Sequence, residues 1–350
     1  MSTLIKPNAV VFGLGPIGLA CARAIRSEGM IKLVGLVDIE PAKLGKTVEE
    51  ITGKPSGAGD EDEKALRVVS SIDDIDVKVD VAVLTTTSHL PNLAPLIKDL
   101  VSRGINVISS CEEMVYPWYR HPQLADEIDA AARAGSATVL GTGVNPGFAL
   151  DLLPVTLASM LRRVNSIRCV RRVDAALRRE SLQAKVGATM TVEKFNALKA
   201  QKQIGHAGLA ESVAMLGRGL GRKVEFGTVT ETLEPVLAET PLPSALGLIA
   251  QGRVAGIHNT AVWEDQGLRI ELDLTMAVGL SDPRDVIEID GPVQLRMKIP
   301  GSIPGDSATV AAILNNIVNV YQASPGFKTM LDVPPAGCHN LDWTPDNLEL

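Results

Sequence analysis

Asn8-Ala9-Val10-Val11-Phe12-Gly13-Leu14-Gly15-Pro16-Ile17-Gly18 is the stretch on which the fold of this 350-residue chain turns. Residues 9–12 are an apolar run of strand length that stops at Gly13, Gly15 and Gly18. Residues 19–28 then read as a helix, with Ala20, Ala22, Ala24 and Ile25 available for packing. Lys32-Leu33-Val34-Gly35-Leu36-Val37 reads as a second strand, closed by Asp38. Strand, tight turn, helix and strand make a βαβ unit, and each glycine has a mechanical use in one that binds a dinucleotide. Gly13 permits the sharp turn, Gly15 lets backbone approach a pyrophosphate, and Gly18 lets the helix sit close to the sheet. The helix that starts at Pro16 offers the N–H groups of Ile17 and Gly18 and the positive end of the helix dipole to phosphate, while Pro16, which has no N–H, fixes the first turn. Asp38, twenty residues after Gly18, stands where a carboxylate accepts the adenosine-ribose hydroxyls. That carboxylate repels a 2′-phosphate, so NAD(H) is the expected cofactor. Lys43 and Lys46 lie where they can flank such a phosphate, which keeps NADP(H) as a second cofactor.

The alternation continues. Apolar strand-like runs at 79–84, 105–109 and 137–140 end in Thr85-Thr86-Thr87-Ser88, Ser110-Cys111-Glu112-Glu113 and Gly141-Thr142-Gly143-Val144-Asn145. Helical stretches at 90–103 and 123–133 fill the gaps. In open parallel sheets ligands bind at the carboxyl ends of strands, so Thr85, Thr86, Thr87, the two glutamates and Asn145 point at one crevice. The fold class is α/β: an N-terminal Rossmann-type parallel sheet, followed by a second α+β domain.

Composition bounds the rest. With 45% apolar and 21% charged residues the chain is globular, and its length suggests two domains. A net charge of −7 and 3% aromatic residues argue against nucleic acid and anionic membrane as partners. No apolar run is long enough to span a bilayer, and the N-terminus lacks a signal-peptide pattern. The four cysteines (Cys21, Cys111, Cys169, Cys338) form no CxxC pair, and the five histidines no metal-binding spacing. A reduced cytoplasmic enzyme without a bound metal is the expectation.

Three pieces resemble a known family: the glycine loop 13–18, Ser110-Cys111-Glu112-Glu113-Met114-Val115-Tyr116-Pro117, and Gly141-Thr142-Gly143-Val144-Asn145-Pro146-Gly147-Phe148. Together they look like the 2,4-diaminopentanoate dehydrogenases, a family that includes native amine dehydrogenases and is distantly similar to dihydrodipicolinate reductase. Residues 174–179, 183–187, 305–309 and 325–330 extend the likeness over nearly the whole chain. The resemblance implies interconversion of an amine and a carbonyl compound with ammonia and NAD(P). It also implies a substrate and dimerisation domain, a homodimer, and a catalytic glutamate in the Glu112-Glu113 pair. The expected domains are 1–147 (nucleotide), 148–310 (substrate and dimerisation) and 311–350 (a helix returning to the nucleotide domain, plus a tail).

Reductive amination passes hydride to an iminium carbon, a cation that a neighbouring carboxylate favours. Extended backbone would send Glu112 and Glu113 to opposite sides, with Glu112 favoured to face the nicotinamide. Cys111 lacks a local histidine and reads as packing. His89 reads as a surface or helix-start residue. Tyr116, Trp118 and Tyr119 serve core, dimer contact or pocket; Tyr116 is carried as a substrate contact. Asn145-Pro146-Gly147 can contact the cofactor, cap a helix over 148–160, or both.

Beyond 161 the expectation is a strand at 166–173, helices at 192–202 and 209–216, and strands at 223–230, 256–263, 268–276 and 293–298 forming an antiparallel sheet. Arg171, Arg172, Arg178, Arg179 and Lys185 either bind an anionic group or are solvated. Phe148, Leu182, Val186 and Met190 suggest an apolar substrate pocket. A helix at 310–320 and a loose tail after Pro334 complete the chain. Three functions remain open: an amine dehydrogenase for small ketones and aldehydes, a 2,4-diaminopentanoate dehydrogenase for a diamino acid, and a non-catalytic NAD(P)-binding sensor.

Overall fold

The computed structural model describes residues 6–54 and 61–338. The described residues fall into two compact units, one made of those up to Val144 together with those from Gly305 on, the other of residues 145–304. The sequence reading set these limits at 147 and 310. The strands in chain order are β1 (Asn8–Phe12), β2 (Lys32–Val37), β3 (Val68–Val69), β4 (Val81–Leu84), β5 (Asn106–Ser109), β6 (Thr138–Gly141), β7 (Ser166–Asp174), β8 (Thr230–Leu237), β9 (Leu242–Ser244), β10 (Gly247–Ile249), β11 (Val254–Asp265), β12 (Leu268–Ala277), β13 (Arg284–Asp290), β14 (Leu295–Pro300) and β15 (Gly326–Lys328).

In the first unit seven parallel strands take the order β15-β6-β5-β4-β1-β2-β3. The direction of the chain reverses between β1 and β4, which is where such sheets open a ligand crevice. Val81–Leu84 is buried throughout because a parallel sheet is covered on both faces. Leu90, Ile97 and Leu100 of helix Leu90–Ser102 and Ile128 of helix Pro122–Ala134 pack into the core beside Phe12, Leu84, Val139 and Phe327. Helix Gly305–Gln322 belongs to this unit and packs against helix Pro16–Glu28. After it, β15 adds a seventh strand beside β6. The expected helix at 310–320 is thus longer at both ends. The tail expected to be loose lies, from residue 339 on, outside the described residues.

The second unit holds a six-stranded sheet in the order β14-β13-β7-β12-β11-β8 and a small β9–β10 hairpin. Burial alternates along β7: Ile167, Cys169, Arg171 and Val173 face the core. Helix Leu209–Gly219 packs on β11 and β12. Several features differ from expectation. The sheet is mixed rather than antiparallel, since β7 and β12 run parallel at its centre. Residues 223–229 form a turn with Gly227 at φ 84, and the strand begins only at Thr230. β8 is an edge strand, which tolerates Pro235. The helix expected over 148–160 is shortened to Leu152–Ala158, because Asp151 rather than Asn145 caps it, through the Leu152 N–H at 2.7 Å.

Candidate active site

The turn after β1 has the geometry its glycines promise. Gly13 has φ 81 and donates its N–H to the Val37 carbonyl at 2.9 Å. A Cβ on Gly18 would lie 2.0 Å from the Gly13 carbonyl oxygen, so nothing larger than glycine lets the helix approach this closely. At Gly15, by contrast, an added Cβ would meet no described atom within 4 Å, leaving open space over the backbone. Gly15 is also the N-cap of helix Pro16–Glu28, with no side-chain cap. The first-turn N–H groups and this open backbone fit a pyrophosphate. Thr85 donates its hydroxyl to the Gly13 carbonyl at 2.7 Å, bracing the loop from β4, while Thr86 is exposed and Thr87 half-buried.

Asp38 directly follows β2 and is 9% exposed. Its carboxylate accepts from the Leu14 N–H at 2.7 Å, the Glu40 N–H at 2.9 Å and Lys43 at 3.0 Å. Burial works to raise its pKa, but the Glu40 N–H, Lys43 and the Leu14 N–H outweigh it and hold the carboxyl below its usual value. Lys43 also reaches Glu40 at 2.8 Å. The acid and the base weighed separately in the sequence are therefore one ion pair.

Glu112 and Glu113 lie in one turn of 3₁₀ helix, Glu112–Met114, not in extended backbone. They still face different surroundings: Glu112 is half-buried, whereas Glu113 is 7% exposed. Both Glu113 oxygens are engaged. Oε1 lies 3.0 Å from His89 Nδ1; Oε2 lies 3.0 Å from His121 Nε2 and accepts from the Leu90 N–H at 2.8 Å. Burial raises the Glu113 pKa, but bonds from His89, the Leu90 N–H and His121 prevail and lower it. Cys111 is buried, and burial pushes its thiol pKa well up, away from thiolate chemistry.

His89 precedes helix Leu90–Ser102 at its N-cap, and its ring faces Glu113. Sequence spacing gave no sign of His121 as its counterpart. The signal that could have found the pair is topological: β4 and β5 are neighbours, so the loops after them adjoin. Tyr119 is buried, and Trp118 packs against Phe327 with ring centroids 5.4 Å apart and the planes tilted by 51°, while Tyr116 is half-buried.

In the second unit Asn145 precedes a cis Pro146, and its Nδ2 lies 3.1 Å from His206 Nε2. Phe148 is exposed, Leu182 and Met190 are half-buried, and Val186 is buried at the end of helix Glu180–Lys185. Arg171 is no anion ligand: it is buried in an ion pair with Asp285 at 2.6 Å, its register partner on β13. Among the described residues no group of three His, Cys, Asp or Glu side chains could hold a metal ion, and no helix is long and apolar enough to cross a membrane.

Residues 148–343 match the family model described as the 2,4-diaminopentanoate dehydrogenase C-terminal domain. A 2,4-diaminopentanoate dehydrogenase of Acetoanaerobium sticklandii is 31% identical, over 94% of both chains. An amine dehydrogenase of Streptomyces virginiae is 23% identical, over 93% of this chain and 96% of its own. Among solved structures, an amine dehydrogenase from Mycobacterium smegmatis superposes with a TM-score of 0.82 at 23% identity, covering 96% of this chain and 98% of that one. This last likeness establishes the shared fold.

Proposed function

The chain belongs to the 2,4-diaminopentanoate dehydrogenase family, and from that premise we propose an NAD(P)-dependent amine dehydrogenase. It would aminate a small ketone or aldehyde with ammonia and, in reverse, deaminate the amine oxidatively. The observation that carries this reading is the division of labour in the acidic pair: Glu113 is fully engaged by histidines and backbone, and Glu112 is the half-buried neighbour.

Condensation of the carbonyl with ammonia releases water and yields an imine; one further proton, supplied by ammonium in the medium, makes it an iminium, whose carbon takes the hydride. Bound nicotinamide supplies that hydride. Glu112 would lie beside the nitrogen, favour the cation through its carboxylate, and hold the proton exchanged with ammonia. Gly13, Gly15, Pro16, Ile17 and Gly18 would hold the pyrophosphate, Asp38 the ribose, and Thr85, Thr86, Thr87 and Asn145 the nicotinamide side. Phe148, Leu182, Val186, Met190 and Tyr116 are the proposed substrate contacts. Asp38 favours NAD(H), and Lys43 beside it lets NADP(H) serve too.

A diamino acid is the second reading. It is favoured by the higher identity to the diaminopentanoate enzyme, 31% against 23%. Burial of Arg171 with Asp285 weighs against it, because one of the arginines that could hold an amino-acid carboxylate is already paired.

A homodimer is proposed as well. One face of the six-stranded sheet sets Arg168 beside Glu271 at 3.0 Å and Asp273 at 3.3 Å, with Val170 half-buried. A face of mixed sign can meet its own copy across a two-fold axis. Light scattering should give twice the chain mass. A cytoplasmic location fits the buried free thiols of Cys21, Cys111 and Cys169 and the intracellular supply of nicotinamide cofactor.

The experiment is NADH and NADPH consumption over a panel of simple carbonyls, with and without concentrated ammonium at alkaline pH. Ammonium-dependent turnover is expected. Turnover without ammonium would make the enzyme a carbonyl reductase. Cofactor binding without any turnover, a diamino acid included, would make it a sensor.

A further inference from the structure

We propose that His89 and His121 are positioning residues, which grip Glu113 from both sides and so fix the turn that presents Glu112. The proposal rests on the reading of Glu112 as the carboxylate beside the substrate nitrogen.

The turn is anchored at three points. Met114 is fully buried, and Gly141 lies so close that a Cβ there would fall 2.4 Å from the Met114 carbonyl carbon. The Glu113 N–H donates to the Ser88 carbonyl at 3.3 Å, tying the turn to the loop after β4. The third anchor is the Glu113 side chain. His89 reaches it from the start of helix Leu90–Ser102, and His121 from the residue before helix Pro122–Ala134. Arg120 Nε stands 4.0 Å from Oε1.

A carboxylate with three donors spread over its two oxygens has little freedom to rotate. For both rings to donate, His89 must carry its proton on Nδ1 and His121 on Nε2. Glu112 is the adjacent residue, so any slack in this grip passes directly to it. A displacement of about 1 Å can cost on the order of a hundredfold in rate. The histidines thus join two helix starts to one acid, and their effect on the reaction passes through backbone rather than through substrate.

The deciding variant is His89→Ser. The His89 side chain is 60% exposed, so its removal leaves the core untouched. Its kcat should fall about tenfold or more, with KM for ammonia and the dissociation constant for NADH, read by fluorescence titration, unchanged within about twofold. His89→Asn places an amide donor near the Nδ1 position, and His121→Gln places one near Nε2. Both should recover kcat to within about threefold of wild type.

Unchanged kcat in His89→Ser would overturn the proposal. Failure of both amide variants, with NADH binding intact, would also overturn it and point to direct proton transfer by the rings. Glu112→Gln, measured alongside, separates the two claims. If it keeps wild-type kcat, the reading of Glu112 fails. If it loses kcat while His89→Ser does not, only the grip fails.

Discussion

The two units use charge in opposite ways. In the parallel sheet, charge stands at strand ends: Asp38 after β2, Glu112 and Glu113 after β5. In the mixed sheet it lies along the strands. Arg168 spans Glu271, Asp273 and Glu288 on the outer face, and Arg171 meets Asp285 inside. A parallel strand buried on both faces has no room for charge along its length, so charge collects in the loops, where it can meet a ligand. A sheet with alternating faces pairs its charges across strands, where they stabilise but have no free valence for chemistry. Activity and stability should therefore come apart between the units.

The largest separation is expected at Glu112→Gln. Loss of a group that handles a proton in the transition state costs about 10²–10⁴ in rate. The melting temperature should stay close to wild type, because the half-buried side chain is replaced by one of equal size. Steady-state amination kinetics and thermal denaturation read the two quantities. A large stability loss would blur the contrast.

Arg171→Met is the mirror experiment. It leaves Asp285 buried, with the Ile303 N–H as its remaining donor. Burial already pushes the Asp285 carboxyl pKa up against the pull of Arg171. Removing one partner of such a pair costs about 3–5 kcal/mol. Denaturant unfolding should register that loss, with kcat of the surviving folded enzyme little changed. A double variant that also carries Asp285→Leu should recover much of the stability.

Glu113 belongs to both categories, and pH separates its contributions. Its folded pKa lies below the ordinary value of 4.5. Its ionised form therefore adds stability that is complete above 4.5 and disappears as pH falls through the lower, folded value. Glu113→Gln should cost about 1–3 kcal/mol near neutrality. The gap between variant and wild type should narrow on acidification below pH 4.5. A gap that stayed constant would mean that the charge of Glu113 is not what the histidines and the Leu90 N–H hold.

The same contrast explains what the sequence disclosed. The glycine loop and the strand ends were readable because backbone geometry dictates residue type there: Gly18 abuts a carbonyl, residues 9–12 of β1 and the whole of β4 are unbroken apolar runs, and β5 has the buried apolar pair Val107-Ile108 at its centre. β13 escaped notice because Asp285 occupies a core-facing position that only its pairing with Arg171 makes tolerable, and this breaks the apolar alternation. The parallel pairing of β7 with β12 was hidden for another reason: alternation fixes which face a side chain takes, not the direction of a distant neighbour. The grip on Glu113 joins residues 89, 113 and 121 through sheet order, which no local spacing records.

The smallest expected effect tests whether strand-end charge is tuned as well as placed. Lys43 is bonded to Asp38 and Glu40, and it offsets the charge that would otherwise repel a 2′-phosphate. Lys43→Gln should leave kcat/KM for NADH within about threefold and lower that for NADPH about tenfold, equivalent to about 1.4 kcal/mol. Fluorescence titration of each reduced cofactor gives the same ratio without turnover. If both cofactors weaken equally, Lys43 serves only to hold Asp38 in place, and the preference must be set by the Asp38 carboxylate and the Leu14 and Glu40 N–H groups around it.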